Sequence, residues 1–198
     1  MDNLITIGVE IGQRREPTAI CVTEIDGRRI ESRYVNHWIV RHLARLPLGA
    51  SYPAVARRLS EVSGGIRQKG GRRPYLYVDA TGIGQPIIDL LRDETNRIGS
   101  ITPVYFSHGD QRSHEGGEIR LGKAYLVSRL QMLLQTARLH MPRTSEAERL
   151  AQELLEYEIQ VDERANERYG AFTVGTQDDL VTALGLAVNK EPRRLCVW

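Results

Sequence analysis

From Leu4 to Gly12 apolar and polar positions alternate, with Ile5, Ile7, Val9 and Ile11 on one side and Thr6, Gly8, Glu10 and Gly12 on the other. A period of two is that of an extended strand with one face against a core. The runs Thr18 to Ile25 and Ile30 to Val40 are also β-rich. Asp26-Gly27-Arg28-Arg29 between them carries a hairpin signal, because Asp-Gly enters left-handed turn conformations at little cost. The chain is thus expected to open with three antiparallel strands. After Pro47 and Gly49, Ser51 is placed to cap a helix with Pro53 in its first turn. Val55, Leu59 and Val62 line one face of that helix, and Gly64-Gly65 marks its expected end.

The pattern then changes. Tyr75 to Asp79 reads as a short buried strand, Ile83 to Arg97 as a helix, and Ile101 to Phe106 as a strand. Leu121 to Thr136 reads as a helix carrying Leu126, Leu130 and Leu133 at helical spacing. Ser145 and Glu148 have the spacing of a capping box for a helix through about Tyr157. Tyr157 to Val161 and Tyr169 to Val174 form an expected hairpin, and Asp178 to Asn189 a last helix whose acidic start suits the helix dipole. Three antiparallel strands followed by alternating helices and strands is the order of a ribonuclease H-like α/β fold, a mixed β-sheet with helices on both faces. One domain is expected over residues 1–190, with a tail at 191–198. The polar stretch from Ser107 to Glu118 is expected to be a mobile loop.

Composition narrows the setting. A chain of 198 residues with 41% apolar and 26% charged residues can bury a core without staples. The longest apolar runs, such as Leu180 to Val188, fall well short of the roughly 18 residues that span a bilayer. Cys21 and Cys196 are far apart and lack His at ligand spacing, so neither a disulfide framework nor a zinc cluster is expected, and a reducing cytoplasm is the expected location. The formal charge of +2 conceals an uneven distribution. Between Arg41 and Arg73 many basic residues face the single acid Glu61, whereas Thr144 to Glu167 is strongly acidic. A basic patch binds phosphates without the whole chain being basic; a solvated face explains the same composition.

Three positions concentrate the candidate chemistry. Glu10 lies mid-strand among apolar neighbours, Asp79 ends a strand, and Asp178-Asp179 opens an apolar helix. Each has an ordinary explanation: a solvated strand face for Glu10, a turn cap for Asp79, an N-cap for Asp178. Together they are costly unless compensated, and a hard divalent cation relieves repulsion between gathered carboxylates. Paired cations about 3.5–4 Å apart activate water against a phosphodiester and stabilise the leaving oxygen.

Four segments resemble the nuclease domain of viral (bacteriophage) large terminase subunits. They are Gly8-Val9-Glu10-Ile11-Gly12-Gln13 with Pro17-Thr18-Ala19-Ile20; His42-Leu43-Ala44-Arg45-Leu46-Pro47-Leu48-Gly49; Val78-Asp79-Ala80-Thr81-Gly82-Ile83-Gly84; and Gln177-Asp178-Asp179-Leu180-Val181-Thr182-Ala183-Leu184. The Asp79 and Asp178-Asp179 segments are the more specific. The resemblance implies a ribonuclease H-like endonuclease that cuts concatemeric double-stranded DNA during genome packaging, using two Mg²⁺ or Mn²⁺ ions. It implies Glu10, Asp79 and Asp179 as catalytic metal ligands, with Asp178 an alternative or auxiliary metal ligand. It also implies double-stranded DNA, a terminase ATPase domain or subunit, a small terminase and a portal as partners, and a bacterial host cytoplasm as the setting.

Two departures accompany it. The first-strand acid is normally Asp, and the extra methylene of Glu10 displaces its carboxylate, so weak activity or an altered metal preference is expected. The chain also leaves no room for an ATPase domain ahead of the nuclease, so an excised domain or a nuclease-only protein is expected.

The remaining motifs are weaker. Gly117-Glu118-Ile119-Arg120-Leu121-Gly122-Lys123-Ala124 fits a phosphate-loop spacing, but Ala124 stands where a Ser or Thr hydroxyl would hold Mg²⁺. Arg57, Arg58, Arg72, Arg73, Arg120 and Lys123 are the expected DNA-backbone contacts. His108, His114, Asp110 and Glu115 are expected to belong to an ordinary loop, and no G-x-S-x-G elbow supports Ser-His-Asp catalysis. Two rival functions share the fold. A catalytically weak or inactive DNA-binding or assembly module would lack saturable Mn²⁺ binding, and a Holliday-junction resolvase would prefer four-way junctions to linear duplex.

Overall fold

The computed structural model describes residues 4–12, 16–31, 33–82, 85–161, 167–170 and 177–190. Its elements begin with β1 (Leu4–Glu10), β2 (Ala19–Ile30), β3 (Arg33–Arg45), α1 (Tyr52–Gln68), β4 (Tyr75–Asp79), α2 (Gln85–Asp93), α3 (Thr95–Ile98) and β5 (Ser100–Ser107). There follow β6 (Arg112–Glu115), β7 (Glu118–Gly122), α4 (Lys123–Gln135), β8 (Leu139–His140), α5 (Ser145–Glu156), β9 (Glu158–Val161), β10 (Glu167–Gly170) and α6 (Asp179–Ala187). Among the described residues eight strands form one mixed sheet, ordered β6-β7-β5-β4-β1-β2-β3-β8, and β9 and β10 pair separately. β1, β2 and β3 are antiparallel neighbours, and β4, β5 and β7 run parallel to β1.

Strand alternation divides the core into two layers. Ile7, Val9, Val22 and Val78 face α1 and α2, meeting Val55, Leu59, Ile87 and Leu91. Cys21, Trp38, Tyr77 and Val104 face α4, α5 and α6, meeting Leu130, Leu150 and Leu184. Removing each such Leu or Ile from water contributes about 1.5–3 kcal/mol. The ribonuclease H-like arrangement, helices on both faces of a mixed sheet, therefore follows from the expected period-two pattern.

α6 lies directly on β1. A Cβ at Gly8 would stand 1.9 Å from the Ala183 carbonyl oxygen and 2.5 Å from the Ala187 amide, so only glycine permits the approach. At the other end of the helix, the Thr6 hydroxyl donates to the Ala187 carbonyl oxygen at 2.7 Å and lies 2.5 Å from the Thr23 hydroxyl. These buried bonds fix α6 along β1 and so place its N-terminus beside the C-terminal end of that strand.

Several boundaries differ from expectation. β2 and β3 stay paired to Ile30 and Arg33, so the hairpin reverses there and not at Asp26-Gly27. Glu31, with φ of 54°, takes the left-handed conformation, while Gly27 pairs with Asn36 inside the ladder. Continuous strand pairing on both sides outweighs the local turn preference of Asp-Gly. α1 runs through Gly64-Gly65 to Gln68, because Val62 before the two glycines and Ile66 beyond them both pack on the core. Ser51 is its N-cap residue, yet the hydroxyl makes no capping bond. The helix expected over 83–97 is two helices, α2 and α3, and Ile83 and Gly84 lie outside the described residues.

The polar stretch 107–118 is not simply a loop. Arg112–Glu115 forms the edge strand β6, turning into β7 through Gly116 and Gly117, whose φ values of 58° and 86° suit a tight hairpin. Ile119 to Leu121 thus belong to β7, and the following helix starts at Lys123. Thr144 and not Ser145 caps α5, accepting from the Ala147 amide at 3.3 Å; Ser145 donates instead to Glu146. β10 begins at Glu167, earlier than expected, and residues 171–176 and the tail 191–198 lie outside the described residues. The two-residue strand β8, paired with Trp38 and Ile39, has no counterpart in the sequence pattern.

Candidate metal centre

Val9 of β1 pairs with Val78 of β4 in parallel register, so Glu10 and Asp79 stand side by side one residue further on. Val9 and Val78 face α1 and α2, so Glu10 and Asp79 face the α6 side of the sheet. They occupy the carboxyl ends of adjacent parallel strands, where open α/β sheets place ligands. Asp79 is 8% exposed, and its Oδ1 accepts the Thr81 amide at 2.7 Å. The Thr81 hydroxyl in turn accepts the Phe106 amide at 2.8 Å, tying the turn after β4 to β5. The turn-capping role open to Asp79 from sequence is therefore realised together with its place in the acidic pair.

Glu10 and Asp79 share a side-chain hydrogen bond. Glu10 Oε2 is buried and has no hydrogen-bond partner. Burial holds the Glu10 carboxyl well above the ordinary range, and the Asp79 charge, their shared hydrogen bond and the Asp178 charge push it further up. The Lys123 ammonium opposes this. Burial also raises Asp79, against the lowering effect of its bonds to Thr81.

The two acids that open α6 have different surroundings. Asp178 is the N-cap residue, makes no capping bond with its side chain, and lies close enough for its charge to act on Glu10. Asp179 is 4% exposed and is bound by Arg45 of β3, with Nε 2.6 Å from Oδ2 and Nη2 2.9 Å from Oδ1. Arg45 Nη2 also donates to Glu153 of α5, whose other oxygen accepts the Leu180 and Val181 amides at 3.0 and 3.3 Å. The structure thus brings Glu10 and Asp79 together with Asp178 nearby, and engages Asp179 on Arg45. Among the described residues no three His, Cys, Asp or Glu side chains are gathered tightly enough to hold a metal ion outright. An unpartnered buried carboxylate oxygen beside a second carboxylate nevertheless fits a hard, oxygen-seeking divalent cation.

Arg45 and Glu153 were not singled out from sequence. Glu153 carried a signal, since Ala147, Leu150 and Glu153 recur at threefold spacing on the buried stripe of α5. Arg45 carried none beyond membership of the basic stretch and of the family-resembling segment His42 to Gly49.

The expected DNA contacts separate into two groups. Lys123, the first residue of α4, acts electrostatically on both Glu10 and Asp79, and its ammonium lies 5.6 Å from the centre of the Phe106 ring. Arg120 is exposed on β7. Arg57 and Arg58 belong to α1, on the opposite face of the sheet from the acids, and Arg58 pairs with Glu61 at 3.1 Å. Arg72 and Arg73 follow α1, with Arg73 donating to the Gly99 carbonyl at 3.3 Å. The segment with phosphate-loop spacing is strand β7, paired with β5 and β6, and forms no open phosphate-binding loop.

The sheet order and the helices on both faces define a ribonuclease H-like architecture, and the solved structures that resemble it include large terminase nucleases. The large terminase nuclease from thermophilic phage G20c superposes with a TM-score of 0.67 at 18% identity, over 96% of this chain and 84% of that one. The same nuclease with bound magnesium gives 0.66 at 20% identity, over 94% and 80%. The g2p (large terminase) nuclease domain from bacteriophage SPP1 with bound Mn gives 0.55 at 14% identity, over 93% and 84%. No protein-family model matches the sequence, and neither does any curated protein. The chain has the fold of phage large terminase nuclease domains. No helix among the described residues is long and apolar enough to cross a membrane.

Proposed function

We propose that the chain is a divalent-metal-dependent endonuclease of the large-terminase type, cutting concatemeric double-stranded viral DNA during genome packaging. The observation that carries this reading is the buried Glu10–Asp79 pair, with Glu10 Oε2 unpartnered, at the strand ends of a terminase-nuclease fold. Two adjacent desolvated carboxyls are costly for folding alone, and their cost is relieved when a divalent cation joins them. Glu10, Asp79 and Asp178 would hold Mg²⁺ or Mn²⁺, two ions in the full site. When bound, the ions would supply a lowered pKa for the attacking water and charge stabilisation at the phosphodiester. In this reading Asp179 is a positioning residue: with Arg45 and Glu153 it fixes the first turn of α6, on which Asp178 sits.

Lys123, whose charge acts on both acids, would contact DNA phosphates there without base discrimination, whereas Arg120 lies on the other side of β7, between the core-facing Ile119 and Leu121. A terminase ATPase domain or subunit, a small terminase and a portal are the partners this role calls for. Calorimetric titration with Mn²⁺ tests the reading without relying on turnover. Saturable binding lost in Asp79→Asn is expected, and duplex affinity should fall steeply as salt rises. No saturable Mn²⁺ binding to folded protein would leave the non-catalytic module as the better account.

A further inference from the structure

A second site lies on the other face of the sheet. Between α1 and strands β2 and β3 opens a cleft of about 730 Å³. Its floor is apolar, made by Ile5, Val22, Val62 and Ile66. Its rim carries Arg41, His42, Arg58, Lys69 and Arg72 against only two acids, Glu24 and Glu61. Both acids are already committed, Glu24 to Arg41 at 2.6 Å and Glu61 to Arg58 at 3.1 Å. The rim therefore has a surplus of positive charge over an apolar floor.

The cleft is separate from the acidic pair. Ile5 and Val22 pack in the layer beneath α1, whereas Glu10 and Asp79 face α6. Ile5 is also five residues before Glu10 on β1, which places the two sites about 17 Å apart along the strand.

His42 sits within this basic rim. Its Nε2 lies 3.5 Å from Arg58 Nη2, and only a neutral ring can accept from that guanidinium. Burial lowers the His42 pKa most, the Arg58 and Lys69 charges lower it further, and Glu146 alone works against them. Three arginines and a lysine against two acids give the rim a net positive charge.

We propose that this cleft binds a phosphate-ester group, with the anion against Lys69, Arg72 and Arg58 and the attached organic body over Ile5 and Ile66. Guanidinium groups suit phosphate because their fixed fork of donors matches its oxygens, and the apolar floor accommodates the sugar or base that a bare inorganic anion lacks. A free nucleotide and the backbone of a nucleic acid present this same chemistry. The site goes beyond the nuclease reading and does not depend on it.

The test follows the His42 imidazole by NMR in the whole chain while inorganic pyrophosphate, thymidine 5′-monophosphate or a short DNA duplex is added without divalent metal. The expected result is saturable binding that raises the His42 pKa. In Lys69→Gln/Arg72→Gln the affinity should fall at least tenfold. Both substituted side chains lie at the surface, and retained spectral dispersion verifies the fold. A mononucleotide that binds as tightly as duplex assigns the cleft to nucleotides, and duplex binding alone assigns it to nucleic acid; either supports the proposal. An unmoved His42 titration with all three probes, or binding unaffected by the double substitution, overturns it. Because cleavage is not the readout, failure here leaves the metal-site reading untouched.

Discussion

Arg45 on β3 and Asp179 on α6 meet through two nitrogen–oxygen contacts, Nε to Oδ2 at 2.6 Å and Nη2 to Oδ1 at 2.9 Å. The pair is largely screened from solvent, with side-chain exposures of 18% and 5%. Arg45 also serves Glu153, which accepts the first free amides of α6. One guanidinium therefore compensates two buried carboxylates and ties three elements together at the end of the sheet that bears Glu10 and Asp79.

Removing that guanidinium is expected to be severe. Arg45→Ala leaves Asp179 and Glu153 buried without their cation, and breaking a buried pair in this way costs about 3–5 kcal/mol. Urea unfolding followed by circular dichroism measures it. A loss under about 1 kcal/mol would show that water replaces Arg45 without penalty and that the network does not fix α6.

Gly8→Ala should weaken the fold from the opposite direction. The added methyl group meets backbone atoms of α6, which cannot swing aside as a side chain tip would. Overpacking of this kind costs about 1–3 kcal/mol, and the helix should lift from β1. Amide exchange across α6 reports the displacement, and exchange unchanged from wild type would contradict the close packing.

Without divalent metal, Glu10 and Asp79 should make stability fall as pH rises. Both carboxyls have folded-state pKa values above the ordinary 4.5 and 3.8, so the folded protein binds these protons more tightly than the unfolded chain. Their contribution is fully present below the ordinary carboxylate range and is lost as pH climbs through the raised values. Thermal unfolding in EDTA across this range checks the sign. Glu10→Gln should flatten the slope, and added Mn²⁺ should restore stability on the alkaline side. An identical slope in wild type and Glu10→Gln would remove Glu10 as its source.

The sequence revealed the sheet and the acidic strand ends more readily than the links between elements. Ile5, Ile7, Val9 and Ile11 announce β1 because one side of the strand faces a core, and the same alternation puts Glu10 on the other side. β6 escaped notice because Arg112–Glu115 is exposed at every position and has no buried face to leave a pattern. Asp26-Gly27 misled because local turn preference is weak beside a ladder that continues past it. Asp178 and Asp179 are equivalent by composition and adjacent in sequence. What separates them is Arg45, more than a hundred residues away, which no local pattern connects to α6.

The most direct test of the central claim is conversion of supercoiled plasmid to nicked and linear forms in EDTA, Mg²⁺ and Mn²⁺, comparing wild type with Asp79→Asn and Asp178→Asn. The account predicts cutting with a divalent metal, none in EDTA, and at least about a hundredfold loss in each variant, since displacing catalytic groups by about an ångström already costs that much. Folded wild type that cuts nothing with either metal, or cutting that survives in both variants, would contradict it.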